Sequence, residues 1–246
     1  MILGSVLSLL LATLIGLSLG VLGSGGSIIT LPMLVYAAGV PAAEAVGMSM
    51  AIVGATSLLG AVIQWRKGNV VPRIAIIFSL GGMIGSYLGS TGTHLLSKQL
   101  LMLLFSGVML VVGFLMLRGY GLQGGQACNV RRCVIAGFAV GVLTGFIGVG
   151  GGFLIVPALL FFAGLPQRTA AGTSLAVIAF NSATGLIGQL RYVSMDWSAL
   201  GGFLFFAFAG MLAGLAVANR LDEKALRKLF GIALIVLALV LGFLNF

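Results

Sequence analysis

The sequence predicts an all-α, polytopic membrane protein made of two inverted five-segment repeats (8–10 membrane segments) with short or broken Gly-rich helices. Three observations carry this. The 246-residue chain is 60% hydrophobic and only 7% charged, against about 25% charged residues in a soluble domain. Apolar runs of about 17 to 25 residues, the length that crosses a bilayer, recur along it. The second half also repeats the first at a fixed offset of 125 residues.

The repeat is gapless from Gly16–Arg66 onto Gly141–Arg191. Identities include Gly20, Gly23, Gly25, Gly26, Pro32, Gly39, Pro41, Gly47, Ser49, Ser57, Gly60, Gln64 and Arg66 with their counterparts. A weaker match continues through Gly85/Gly210, Gly89/Gly214 and Phe105/Phe230. Residues 1–118 are therefore read as the first transmembrane repeat, 119–130 as a cytoplasmic linker and 131–246 as the second transmembrane repeat.

Taken in order, the apolar segments of the first half are Ile2–Leu22, Ile28–Ala38, Ala45–Ile63, Ile74–Thr91 and Leu100–Leu117. Ile2–Leu22 lacks a charged start and is too long for a typical signal peptide, so it is expected to be mature sequence. The second half gives Val134–Ile147, Phe153–Ala163, Ala170–Ile187, Ala199–Ala218 and Ala225–Leu244. The second segment of each half has 11 residues before Gly39 or Gly164. As a helix it rises roughly 16 Å, about half the hydrocarbon core.

Loop charges choose between two topologies. If the first two segments of each half go in and come back, the halves are inverted. Arg66, Lys67, Arg73, Arg118, Arg131, Arg132, Arg168, Arg220, Lys224, Arg227 and Lys228 then share one side, against Lys98 and Arg191. If the short segment does not change the parity of its half, the halves are parallel and the count becomes seven against six. Basic residues gather in cytoplasmic loops, so the inverted arrangement is expected, with the linker inside and both chain ends outside. Cys128 and Cys133 near the linker are then expected to be ordinary thiols in a reducing compartment. Inverted repeats with broken helices are a plan of secondary transporters, in which the site lies at the midplane where the repeats meet.

Two features could build such a site. The first is the pair of glycine clusters, Gly25-Gly26-Ser27 and Gly150-Gly151-Gly152. Glycine allows close approach of backbone to a ligand, and a helix beginning at the cluster points free N–H groups and a positive dipole end at the break. The bland alternative is close helix packing, which is the reading given to Gly16/Gly20 and Gly85/Gly89. The second is a small, polar stripe on each third segment: Ser49, Thr56, Ser57, Gly60 and Gln64, with twins Ser174, Asn181, Ser182, Gly185 and Gln189, and with Thr173 beside Ser174 as a further binding candidate. At 100° per residue each set spans an arc of about 100°. Such a stripe faces protein or water, and its bland alternative is interhelical hydrogen bonding. Asn181 is the costliest of these side chains to leave unpaired in a membrane.

Single charges are read conservatively. Glu44 is the proton-coupling candidate, set against a solvated loop carboxylate, which is favoured. Arg66 and Arg191 anchor helix ends, and His94 is a solvated helix-end residue. The net charge of +9 is the positive-inside pattern, not a nucleic-acid signal. No phosphate loop is present. Nothing clusters as metal ligands, and no serine or cysteine has a base partner. The chain is therefore read as no enzyme, with no cofactor and no metal. Its partners are a small anionic substrate and the lipid bilayer, a homodimer being compatible with the pattern.

The stretch Gly148-Val149-Gly150-Gly151-Gly152-Phe153-Leu154-Ile155-Val156-Pro157 is followed by Gly164-Leu165-Pro166-Gln167-Arg168-Thr169-Ala170-Ala171-Gly172-Thr173-Ser174. Together they resemble the sulfite exporter TauE/SafE family, also called the toluene-sulfonate uptake permeases. Gly23-Ser24-Gly25-Gly26-Ser27 through Pro32, with Pro41 to Ser49, fits the same pattern, and the resemblance covers the whole chain. Ser27 replaces the last glycine of the first-half triplet. The resemblance implies a multi-pass carrier in a prokaryotic inner membrane for sulfite, sulfonates or related anions. The expected function is secondary transport of a small anion by alternating access. Proton coupling rests on analogy. The alternatives are an anion channel and a carrier for a non-sulfur carboxylate.

Overall fold

The computed structural model of the chain describes residues 6–24, 26, 30, 33–37, 39–92, 98–119, 130–147, 152–189 and 197–244. All regular structure among them is helical. In the first half stand α1 (Val6–Leu22), a short π-helical piece α2 (Met33–Ala37), α3 (Ala42–Arg66), α4 (Pro72–Gly92) and α5 (Lys98–Arg118). The second half has α6 (Val130–Ile147), α7 (Gly152–Ala163), α8 (Gln167–Gln189), α9 (Trp197–Arg220) and α10 (Glu223–Leu244). Each helix coincides with one predicted apolar segment. Several run further: α3 takes in Glu44 at its start and Gln64 to Arg66 at its end. Hydropathy sees only the apolar middle, whereas backbone groups near a bilayer go on pairing within the helix. Among the described residues α3, α8 and α9 are long and apolar enough to cross a membrane. Their partners are shorter apolar helices or, like α10, carry charge in the first turns.

The duplication reaches the level of single hydrogen bonds. Gly39 and Gly164, 125 residues apart, both take positive φ, 66° and 64°. A side chain there would be strained, and glycine is not. The next residue in each half bonds back six positions, Val40 N–H to the Leu34 carbonyl at 3.0 Å and Leu165 N–H to the Leu159 carbonyl at 3.3 Å. This closes a helix end in the glycine-terminated manner. Pro41 and Pro166 then open the next helix, their carbonyls accepting from Ala45 and Ala170 at 2.9 and 2.8 Å. The short second segments therefore end alike. Between them, α7 buries ten of its residues, Gly152 to Leu160 and Ala163, and is enclosed by protein.

Glycines fix how the helices pair. A Cβ on Gly16 would strike backbone atoms of Ala207 and Met211, and one on Gly20 would strike Met211, Gly214 and Leu215. The register rises on both helices, so α1 and α9 run parallel in near backbone contact. In the same way Gly81 lies on Val134 and Phe138, and Gly85 on Phe138 and Val142, so α4 and α6 are also parallel. The first helix of each half thus packs on the fourth helix of the other. Equivalent helices pair with opposite sense. Gly54 meets Ser182, Gly60 meets Leu175 and Gly172 meets Gln64, which makes α3 and α8 antiparallel. Gly113 meets Gly231 and Ile235 while Gly119 meets Arg227, which makes α5 and α10 antiparallel too. The cores mix the halves accordingly. One joins Val53, Phe78 and Met109 to Phe153, Leu159 and Phe230, and another joins Ala12 and Ile52 to Leu200 and Phe203.

These contacts also gather charge. Gly172 touches Asn69, which brings the α3–α4 turn to the start of α8. There Arg168 donates to the Leu221 carbonyl at 2.5 Å and the Asn219 carbonyl at 3.5 Å. Arg227 lies against Gly119, and Gly137 against Phe78. Arg66, Lys67, Arg73, Arg118, Arg131, Arg132, Arg168, Arg220, Lys224, Arg227 and Lys228 therefore share one end of the bundle. Lys98 begins α5 and stands at the other end. Arg191 lies outside the described residues. One expectation changes: Cys133 is disulfide-bonded and buried, not a free thiol. The chain has one other cysteine, Cys128, five positions away and outside the described residues.

Candidate functional site

The two polar stripes meet where α3 crosses α8. Stepping up α3 by one residue moves one residue down α8, as the Met50–Gly185, Gly54–Ser182 and Gly60–Leu175 contacts require. A residue stands level with its own twin only near Ala55 and Phe180. The twins Thr56/Asn181 and Ser57/Ser182 therefore straddle the crossing, close to the middle of both helices.

Their hydrogen bonding separates them. Thr56 is wholly buried and its Oγ1 donates to the Ile52 carbonyl one turn back, at 2.6 Å. Ser57 is also wholly buried, but its Oγ has no partner among the described residues. Asn181 is half-buried, and its Oδ1 is shielded from solvent and unpartnered. Its Nδ2 lies beside Gly82 of α4. Leaving a buried polar group unmade costs about 1–3 kcal/mol. Two such groups lie at the crossing; among the described residues the side chains of Ser79, Ser106 and Gln167 also hold a buried oxygen without a partner.

The rest of the stripe is used to hold helices. Gln64 Oε1 accepts from Asn69 Nδ2 at 3.2 Å. Thr173 Oγ1 accepts from the Val71 N–H at 3.1 Å. The Ser174 hydroxyl lies within bonding distance of two carbonyls, Gly23 at 3.0 Å and Ala171 at 2.7 Å. The Gln64 bond braces the α3–α4 turn, and Thr173 and Ser174 tie the start of α8 to that turn and to the end of α1, about two turns from the crossing. Ser49 is half-buried, and Glu44 sits in the first turn of α3.

Of the glycine clusters, Gly26 is buried where a Cβ would meet the Leu19 side chain and the Ile15 carbonyl, so it serves close packing on α1. Gly152 is buried at the first position of α7. Gly25, Ser27, Gly150 and Gly151 lie outside the described residues, as does the side chain of Gln189, the last residue of α8. The structure thus sets Thr56 and Asn181 at nearly the same level of the crossing, Thr56 bonded to its own helix and the Asn181 amide beside Gly82 of α4, and sets Gln64, Thr173 and Ser174 toward the basic end. It adds Ser57, which the stripe contained but which periodicity alone could not rank above its neighbour.

The sequence matches the family model described as Sulfite exporter TauE/SafE over residues 8–241. The chain belongs to the TauE/SafE family. Among its TauE/SafE-like relatives, a "Probable membrane transporter protein" of Xylella fastidiosa (strain 9a5c) is 37% identical over 235 residues, 92% of this chain and 90% of that one. "Probable membrane transporter protein YdhB" of Bacillus subtilis (strain 168) is 29% identical over 229 residues, 90% of this chain and 94% of its own. "Probable membrane transporter protein MJ0441" of Methanocaldococcus jannaschii is 36% identical over 119 residues, 44% of this chain and 43% of its own. No solved structure matches the chain. As a TauE/SafE protein with apolar spanning helices it is a multi-pass transporter of a prokaryotic inner membrane.

Proposed function

We propose that the chain is a secondary transporter of small anions, those of oxidised sulfur first among them. Its site lies at the α3–α8 crossing, where Ser57 and Asn181 present two buried polar groups that have no partner among the described residues. That observation carries the reading, because a buried donor or acceptor without a partner is what a transient ligand would satisfy. Membership of a family named for sulfite export supports the substrate class. The test is reconstitution into liposomes with sulfite, thiosulfate, sulfoacetate and acetate. Saturable uptake with counterflow is expected for at least one sulfur anion. If none moves faster than through empty liposomes, the anion reading fails.

We further propose that the two repeats are inverted in the membrane, with the basic end and the linker in the cytoplasm, and that one repeat rocks against the other about the crossing. The antiparallel pairing of α3 with α8 and of α5 with α10 supports this, as does the collection of eleven cations at one end. In this arrangement Lys67 and Lys224, both exposed, face the same compartment, whereas parallel halves would place them on opposite sides. Lys67→Cys and Lys224→Cys, each made in a chain with Cys128 and Cys133 replaced by serine, should react in intact cells with a membrane-permeant maleimide and resist an impermeant one. Reaction of either with the impermeant reagent would sink the inverted, basic-end-inside arrangement.

A further inference from the structure

Among the described residues, the middle of the bundle has no formal charge with which to meet an anion. Along α3 the ionisable residues are Glu44 in the first turn and Arg66 in the last. Glu44 is twelve residues from Thr56, about 18 Å along the axis, and Arg66 is nine from Ser57, about 14 Å. On α8 the nearest is Arg168, thirteen residues or about 20 Å before Asn181, and it is held by the Asn219 and Leu221 carbonyls.

Among the described residues, the elements packed on the crossing carry their charges toward their ends: α10, which packs on α8, has Glu223, Lys224, Arg227 and Lys228 in its first turns, and α2, which packs on α3, carries only the phenol Tyr36. On α4, Arg73 stands nine residues from Gly82, about 14 Å, and Tyr87 is an exposed phenol. On α9, which meets α3 where Gly60 contacts Met211, the nearest is Arg220, nine residues further on. Neither α1 nor α7 carries an ionisable residue. On α6, behind α4, Arg131 and Arg132 lie at the basic end. Among the described residues, a bound anion is therefore met by neutral dipoles, such as the Ser57 hydroxyl and the Asn181 amide.

Charge number then decides what fits. The cost of taking an ion out of water grows with the square of its charge, and it is already several kcal/mol for a single charge. The attraction of neutral donors grows only in proportion to the charge. A monoanion is the charge such a site can hold, and a dianion is refused. Nor, among the described residues, is there a carboxylate or imidazole at the crossing to take up a proton during the cycle.

Resting on the transport reading above, we infer that the site accepts singly charged oxyanions only, and that any proton moved with the substrate travels on the substrate itself. A weakly acidic dianion picks up one proton in the water on one side and crosses as the monoanion. It returns that proton to the water on the other side, and no side chain changes its protonation state.

The test uses the full chain in liposomes with the membrane potential clamped, and three probes at fixed total concentration. Sulfite converts from monoanion to dianion near neutral pH, methanesulfonate is a monoanion throughout and sulfate is a dianion throughout. With empty-liposome rates subtracted, sulfite flux should fall about tenfold for each pH unit above its own second ionisation. Methanesulfonate flux should change less than about twofold over the same range, because no protein group is titrating. Sulfate should neither move nor compete. Sulfate flux comparable to that of sulfite, or a methanesulfonate profile that follows the sulfite one, overturns the inference while leaving anion transport intact. If none of the three moves, the transport reading falls as well.

Discussion

Gly20→Ala should destabilise the protein by about 1–3 kcal/mol, the usual cost of overpacking, and Gly20→Leu should prevent it from folding. The added Cβ would stand 2.8 Å from the Leu215 nitrogen and 2.9 Å from the Gly214 Cα, where the obstructing atoms are backbone and cannot turn aside. Gly214 meets the same limit from the other helix, its Cβ falling 3.0 Å from the Gly20 Cα. Gly107 and Gly201 serve as controls, because both are exposed and nothing lies within 4 Å of a Cβ there. Alanine at either should be neutral or stabilising by about 0.5–1 kcal/mol through helix propensity alone. Thermal unfolding of the detergent-purified variants separates the two classes. Equal melting temperatures for Gly20→Ala and Gly107→Ala would mean that α1 and α9 are not in backbone contact.

Asn181→Leu should move stability and transport in opposite directions. Leucine is close to asparagine in length and removes a shielded Oδ1 that has no partner. Relief of that penalty is worth about 1–3 kcal/mol, so the melting temperature should hold or rise. Anion flux should fall at least about tenfold, the equivalent of one lost hydrogen bond to a charged ligand. Ser57→Ala should act in the same direction with a smaller loss. A purely structural asparagine would show the reverse pattern, a lower melting temperature with the flux per folded molecule unchanged. Flux that survives both substitutions would move the site away from the crossing.

Much of this was legible in the residues. Each helix is visible as an apolar run, because a backbone in lipid has few ways to pair its polar groups other than a helix. The end of the short second segment at Gly39 and Gly164 was legible for the same reason that the turn exists, since little else than glycine adopts that backbone angle without strain. The packing role of Gly16, Gly20 and Gly85 was also readable. Which helix each would face was not: almost every face of these helices is apolar, and hydropathy does not distinguish lipid from protein. The exchange of first and fourth helices between halves therefore needed coordinates.

The stripe on α3 and α8 was legible as a polar face, and the two helices that carry it pack against each other. Periodicity could not say which hydroxyl spends its hydrogen bond on its own helix, as Thr56 does with Ile52, and which is left over, as Ser57 is. That depends on rotamer and neighbour. The same limit explains Thr173 and Ser174, read as ligand groups but engaged in tying α8 to Val71 and Gly23. For the disulfide at Cys133, spacing permits both a bridge and two thiols.

The pairing of α1 with α9 bears on how the protein is made. Val6 leaves the ribosome roughly 190 residues before Trp197, and at about 5–20 residues per second the first helix waits on the order of ten seconds or more for its partner. Throughout that interval its glycine face, with Gly16 and Gly20, has only lipid or a provisional neighbour against it. The α4–α6 contact, separated by roughly 55 residues, forms first, and the last-made helices close the oldest one into place. Assembly therefore proceeds from the centre of the sequence outward. The nascent chain is most exposed to misassembly at its beginning.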